Sequence, residues 1–342
     1  MTNIKKDILV SLADDNFVDQ VKQLFSSAYF NAGWHGDYML LAHNITEEKL
    51  RWFRDKGILV RECEEIIDEK IGIGYSPVVL DKFCLFKTEF REWGNIIFLD
   101  ADIIVRNSLE RLSRVKAFTA ARDSYFNKLK DQFYPNSLEK IKKDGYNLSK
   151  HSFNSGVMAF NSDIISDDTY DNLISLFAKY KDDGKFGEQP VLNLYFYKKF
   201  KKLPFIYNTF ITHHNYKIPK RIKLINLHFF ARENYPKLWE KENPYYAEWK
   251  NNLEKANTIV IKESLKKKAL SQILIRWNSY RLWLHALICP YAYIWENIRY
   301  KMGHFFRFPG RLIGRIGSRI KMKNKKLYFC LKKLMFWRKS TI

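Results

Sequence analysis

The chain has 342 residues, 46% of them hydrophobic and 16% aromatic, enough to bury a core and to exclude global disorder. Its formal charge of +22 is uneven: residues 262–342 carry 20 of the 59 basic residues but only Glu263 and Glu296 of the 37 acids. Residues 1–261 are therefore nearly neutral, and the composition shift after Ala256 divides a globular part, 1–255, from a cationic region, 256–342. Four scattered cysteines (Cys63, Cys84, Cys289, Cys330) lack metal-ligand spacing and read as reduced thiols. No long apolar run follows Met1, so a signal peptide is not expected, and a cytoplasmic location is.

In chain order, Ile8-Leu9-Val10 predicts an apolar strand ending at Ala13-Asp14-Asp15-Asn16. Val18, Val21, Leu24, Phe25 and Ala28 recur at helical spacing. Tyr38 to Ala42 predicts a second strand. A helix then starts at Thr46, with Glu47 and Glu48 where they complement its dipole. Gly57 stops it before the strand Ile58-Leu59-Val60, and Pro77 opens a further helix to about Phe90. Asn95 to Leu99 is an apolar run, as in a strand buried on both faces of a parallel sheet. This βαβα order predicts a parallel sheet with ligands at strand carboxyl ends, where Asp14 and Asp100 fall.

Asp100-Ala101-Asp102 places two carboxylates where the 95–99 strand leaves the sheet. Such hard oxygen donors suit Mg²⁺ or Mn²⁺, and such an ion suits a diphosphate. No G-x-G-x-x-G follows the first strand and no P-loop motif occurs, which disfavours dinucleotide-binding and P-loop readings. Asp14, Asp15 and Asn16 stand where a nucleotide fold needs hydrogen-bonding side chains: a carboxylate can accept from uracil N3–H, and Asn16 can bond a ribose. Equally, they can simply cap the following helix.

Ala13-Asp14-Asp15-Asn16, Leu99-Asp100-Ala101-Asp102, Phe153-Asn154-Ser155-Gly156-Val157, Glu188-Gln189-Pro190-Val191-Leu192-Asn193 and His228 occur in an order that resembles glycosyltransferase family 8. That family includes glycogenin and bacterial lipopolysaccharide galactosyl- and glucosyltransferases. The resemblance spans roughly residues 7–240. It implies a GT-A fold (α/β, Rossmann-like), a UDP-sugar donor, Mn²⁺ (or Mg²⁺) dependence and retention of anomeric configuration. By the same resemblance, Asp100, Asp102 and His228 are metal ligands, and Ala13 to Asn16 and Ala101 line the nucleotide. Lys82 falls near the donor, Asp123 near the transferred sugar, and Asn154 and Ser155 face that sugar. Glu188 and Gln189 lie beside the reacting carbon, with Glu188 where the family has Asp.

The set departs from the family pattern beyond His228, where Ala231 replaces a usual Gly. Tyr235-Pro236-Lys237-Leu238-Trp239 replaces a Lys-Pro-Trp, with Lys237 the candidate diphosphate contact. Gln189, an amide, is no general base, but its carbonyl oxygen can stabilise an oxocarbenium-like centre or position the donor. A front-face reaction, in which the leaving phosphate takes the acceptor's proton, needs no protein base.

The cationic region interleaves Arg and Lys with Trp277, Trp283, Tyr291, Tyr293, Trp295, Phe305, Phe306, Phe308, Phe329, Phe336 and Trp337. That is the composition of segments lying in an anionic membrane interface. The uncharged run Leu282–Trp295 is too short to cross one. The expectation is therefore a peripheral enzyme on the inner face of the cytoplasmic membrane. It would move galactose or glucose from a UDP-sugar to a lipid-linked or lipopolysaccharide glycan. Nucleic acid is not an expected partner. The competing reading is a non-catalytic nucleotide-binding protein with a polyanion-binding tail. The full set Asp100, Asp102, His228 and Gln189 discriminates against it.

Overall fold

A computed structural model describes residues 5–123, 126–211, 218–229, 236–261, 265 and 267–285. Among the described residues, strands and α-helices alternate as the apolar runs and amphipathic stretches predict as far as residue 62, beyond which several strands follow one another with no α-helix between; a further helix over 272–285 comes after those named below. The strands are β1 (Ile8–Asp14), β2 (Asp37–His43), β3 (Leu59–Glu62), β4 (Asn95–Leu99), β5 (Ile103–Val105), β6 (Thr119–Arg122), β7 (Phe153–Asn161), β8 (Lys201–Leu203), β9 (Thr209–Phe210) and β10 (Asn226–His228). The helices are α1 (Val18–Ser27), α2 (Glu47–Asp55), α3 (Leu138–Lys143), α4 (Thr169–Tyr180), α5 (Gln189–Tyr195) and α6 (Tyr246–Ala256).

Seven strands form one sheet in the order β3-β2-β1-β4-β7-β6-β8. β1 to β4 are mutually parallel, but β7 runs antiparallel to both β4 and β6, so the sheet is mixed and not wholly parallel. Between β6 and β7 the chain carries only short 3₁₀ turns and the two-turn α3 among the described residues, and an antiparallel neighbour requires no crossover helix. A small second sheet, β5-β10-β9, sets His228 opposite Ile103 and Phe210.

β1 continues past Val10 as far as Asp14. Buried Ser11 is accommodated because its hydroxyl donates to Leu99 O at 2.8 Å. β4 is buried along its whole length, as its uninterrupted apolar run predicts. Ile97 and Leu99 join the cluster packed by α1 and α6, while Ile96 and Phe98 join a phenylalanine-rich cluster on the other face. There Phe86 stacks on Phe160 at 4.8 Å, and Phe118, Phe153 and Phe196 complete the layer. Each such aromatic contributes about 1.5–3 kcal/mol of burial.

Pro77–Phe86 is a 3₁₀ and not an α-helical segment, ending where Lys87 turns to ψ 149°; a second 3₁₀ turn, Thr88–Glu92, follows. Two β-branched valines, Val78 and Val79, open the first segment and crowd an α-helical turn. The compact unit that contains the sheet runs Met1–Cys289. Side chains beyond the composition shift belong to its core: Ile259, Leu270, Ile275 and Leu282 are buried in the α1/α6 cluster. Gly33, at φ +61°, lets the chain approach closely there, since a Cβ would fall 2.7 Å from Lys267 N. A second unit, Pro290–Ile342, lies outside the described residues, and with it the aromatic positions from Tyr291 to Trp337. Among the described residues, no helix is long and apolar enough to cross a membrane.

Candidate active site

The parallel pairing of β1 with β4 brings Asp14 and Asp100 to the same carboxyl edge of the sheet. Asp102 follows Asp100 on the way into β5, and the β5–β10 pairing returns His228 to it. His228 Nε2 lies 3.1 Å from Asp102 Oδ1 and 3.6 Å from Asp100 Oδ2. One ligand atom from each residue lies within 4.8 Å of the others. Cis ligands of an octahedral ion with bonds of about 2.1 Å lie about 3 Å apart, so these side chains fit a divalent cation such as Mg²⁺ or Mn²⁺. Gly156 leaves room for the cluster. A Cβ there would meet His228 Cε1 at 2.3 Å and Asp100 Oδ2 at 2.5 Å.

Lys82 stands behind this edge, 4% exposed. Its ammonium lies 2.9 Å from Asp100 Oδ1 and 2.7 Å from Glu188 Oε1. Burial alone would depress the ammonium, but the two carboxylates outweigh it and hold Lys82 above the ordinary lysine range. Glu188 also accepts from Ser155 Oγ at 2.7 Å. The longer acid at this position is therefore committed to Lys82 and Ser155. Tyr75 adjoins the group; burial first, then the Glu188 charge, push its phenol up to about 12.

Gln189 opens α5 but is not a helix-surface residue: it is 5% exposed and Glu188 2%. Its carbonyl oxygen accepts from Asn154 Nδ2 at 2.9 Å and from Ser155 N at 3.0 Å. Its amide nitrogen donates to Asp123 Oδ2 at 3.1 Å and to Gln132 Oε1 at 2.8 Å. Asp123 Oδ1 in turn accepts from Phe126 N at 2.9 Å. Asn154, Ser155, Asp123, Glu188 and Gln189 thus form one buried polar cluster beside the metal-ligand set.

The β1 end divides between the two roles that its sequence allows. Asp14 Oδ1 accepts from Asn16 N at 2.9 Å and Phe17 N at 3.1 Å, so it does order the start of α1. Asp15 accepts from Thr46 N at 3.1 Å and from Lys49 Nζ at 2.5 Å. The Lys49 hydrogen bond, then that of Thr46, hold its carboxyl below the ordinary range. Asp15 is thereby occupied in tying α2 to the loop, while Asn16 is exposed. Ala13 and Ala101 are buried backbone positions at the same edge. Lys237 is exposed, with its ammonium 5.6 Å from the centre of the Trp239 ring, and Trp239 packs on Phe17. Ala231 and Tyr235 lie outside the described residues.

Three positions that no motif marks complete the cluster. Gln132 joins through Gln189. Asn208, 1% exposed, accepts from His228 Nδ1 at 2.7 Å through Oδ1 and donates to Asn154 Oδ1 at 2.8 Å. Tyr75 is the third. All lie in segments without a repeated pattern, so only their approach in space identifies them.

The profile of the family described as Glycosyl transferase family 8 matches residues 8–239. Galactinol synthase 4 of Arabidopsis thaliana is 25% identical over 191 residues, 48% of this chain and 52% of that protein. Galactinol synthase 2 of Solanum lycopersicum is 26% identical over 181 residues, 48% and 52% of the respective chains. The chain spans about half the length of the curated relatives it matches. The galactosyltransferase LgtC, in complex with donor and acceptor sugar analogues, is similar with TM-score 0.55 at 15% identity, over 79% of this chain and 99% of that one. The bifunctional glycosyltransferase WbbM is similar with TM-score 0.56 at 18% identity, over 77% and 52%. These likenesses show the GT-A fold. With the profile covering more than half of its length, the chain belongs to glycosyl transferase family 8.

Proposed function

We propose that the protein is a metal-dependent, retaining glycosyltransferase that moves galactose or glucose from a UDP-sugar to a cell-surface glycan such as lipopolysaccharide. The observation that carries this reading is the convergence of Asp100, Asp102 and His228 beside the buried Gln189 cluster at the sheet's carboxyl edge. A divalent cation held by those three side chains would neutralise charge on the departing diphosphate. Lys82, 2.9 Å from Asp100 Oδ1, holds that carboxylate in place for the task. Asp14 and Asn16 lie at the β1 edge in position for the base and ribose, and Lys237 is the candidate for a phosphate. Asn154, Ser155 and Gln189 border the place of the transferred sugar. The carboxylates of Glu188 and Asp123 are both engaged in hydrogen bonds, which agrees with a front-face route that uses no protein base.

Membrane docking on the cytoplasmic face belongs to the same proposal. In its support, the helix over 272–285 buries Ile275, Asn278 and Leu282 but exposes Ile273, Trp277, Tyr280 and Trp283. Such aromatic residues favour an interface, and the neighbouring cationic sequence favours anionic lipid. No observation favours a non-catalytic nucleotide binder, which needs neither three metal ligands nor a polar cluster at the sugar.

The test is hydrolysis of a panel of UDP-sugars by purified protein with Mn²⁺ and with excess EDTA, alongside Asp102→Asn. One donor should be consumed, with the released sugar's initial anomer matching the donor's. Chelation and the substitution should each abolish turnover. Full activity in EDTA would refute the metal assignment, and no turnover of any UDP-sugar would refute the donor class.

A further inference from the structure

We infer that Asn208 is a positioning residue: it terminates a hydrogen-bonded amide chain that sets the His228 ring in the tautomer presenting Nε2 to the metal. The inference rests on the metal reading above only for its functional consequence. The chain itself runs Asp123, Gln189, Asn154, Asn208, His228.

An amide's oxygen and nitrogen have nearly the same shape, so an isolated Asn or Gln can face either way. Here each amide has a neighbour whose polarity is not negotiable. The Asp123 carboxylate can only accept, so Gln189 turns Nε2 towards it, at 3.1 Å. Gln132 agrees, because its own Nε2 donates to Phe126 O at 3.0 Å and leaves Oε1 for Gln189. Gln189 Oε1 then faces Ser155 N–H, which can only donate, and receives Asn154 Nδ2. Asn154 Oδ1 in turn accepts from Gly156 N–H at 3.0 Å, another obligate donor, and so takes Asn208 Nδ2 at 2.8 Å.

Asn208 therefore has only its Oδ1 to offer His228 Nδ1, 2.7 Å away, and an acceptor there requires that Nδ1 carry the proton. With Nδ1 protonated, Nε2, 3.1 Å from Asp102 Oδ1 and 3.6 Å from Asp100 Oδ2, is the nitrogen left to share a cation with those two carboxylates. Asn208 is 1% exposed, Gln189 5%, His228 4% and Asn154 9%, so no member of the chain is open to bulk solvent. A metal-bound histidine is oriented by the partner of its other ring nitrogen, and losing that partner typically lowers metal affinity 10–100-fold.

Two substitutions separate this role from a purely structural one. Asn208→Leu removes the acceptor at similar size. Asn208→Asp keeps an acceptor for Nδ1–H and replaces the donation to Asn154 with an oxygen facing its Oδ1, which still has Gly156 N–H. In calorimetric titration with Mn²⁺, Asn208→Leu should bind about 10–100-fold more weakly, while Asn208→Asp restores near wild-type affinity. Ring ¹⁵N correlation spectra of the protein saturated with diamagnetic Mg²⁺, assigned with His228→Gln, should show Nδ1–H in the wild type. Asn208→Leu should show mixed tautomers. An Nε2–H wild-type ring would overturn the inference even if the leucine variant fails to fold. So would wild-type Mn²⁺ affinity in a folded Asn208→Leu protein. If instead Asp102→Asn leaves Mn²⁺ binding unchanged, the metal reading fails, while the presence of a proton on Nδ1 of the wild-type ring still decides whether Asn208 orients it.

Discussion

Gly156→Ala is the smallest change that should disable the metal-ligand set. The added methyl carbon would lie 2.3 Å from His228 Cε1, 2.5 Å from Asp100 Oδ2 and 3.0 Å from Asn154 Oδ1. Restoring an ordinary contact of 3.4 Å to Cε1 demands a retreat of about 1.1 Å by the ring or by β7. Ligand distances tolerate only about 0.2 Å of error. The ring cannot retreat freely, because it is bonded to Asn208 and packed on Phe210 with ring centres 4.8 Å apart. Overpacking of this kind costs about 1–3 kcal/mol. Since the clash falls on two of three ligands at once, Mn²⁺ affinity should fall at least about tenfold. Calorimetry with Mn²⁺ and a thermal melt of the same sample measure both effects. A folded variant with wild-type affinity and unchanged Tm would refute the placement of Gly156 against the ligands.

Lys82→Met should be among the most destabilising single changes near the site, because it leaves Glu188 buried and without a cation. Breaking such a pair from one side costs about 3–5 kcal/mol, and a denaturation midpoint near wild type would contradict this. Asp81 carries a pH signature: burial, against the opposing His43 hydrogen bond, raises its carboxyl to about 6 from the ordinary 3.8. The folded state then holds the proton more tightly, so this contribution to stability is complete below about pH 4 and declines as pH rises towards about 6. Asp81→Asn should remove that decline, and parallel pH profiles for both proteins would refute the assignment. Asp14→Asn should keep the α1 start, and with it Tm, yet lose any preference for UDP over CDP, whereas Asp14→Ala should also lose about 1 kcal/mol of stability. Truncation after Ala256 removes Ile259, Ile275 and Leu282, buried side chains worth about 1.5–3 kcal/mol each, and should unfold the domain, whereas truncation after His285 should leave it folded. Equal melting of the two truncants would show that 257–285 is dispensable.

Much of this molecule was legible along the chain. The run Asn95–Leu99 specifies a strand buried on both faces, because only such a strand lacks a polar side. Glu47 and Glu48 mark a helix start, because the unpaired N–H groups of a first turn favour negative charge, while the Thr46 hydroxyl donates to Asp15 and does not cap the helix. These are contacts within one turn or one pleat, so periodicity and capping display them. Asp100 and Asp102 were marked by their place at the end of an apolar strand, whereas the roles of His228 and the Glu188-Gln189 pair came from their ordered resemblance to a family. What tertiary structure alone decided is the meeting of distant residues. Lys82 reaches Glu188 across 106 positions, Gln189 reaches Asp123 across 66, and His228 reaches Asn208 across 20. The antiparallel insertion of β7, the 3₁₀ path of Pro77–Phe86 and the core role of Ile275 and Leu282 belong to the same class. A buried donor or acceptor must find its complement wherever the packed chain supplies one, and no local spacing encodes which segment that will be.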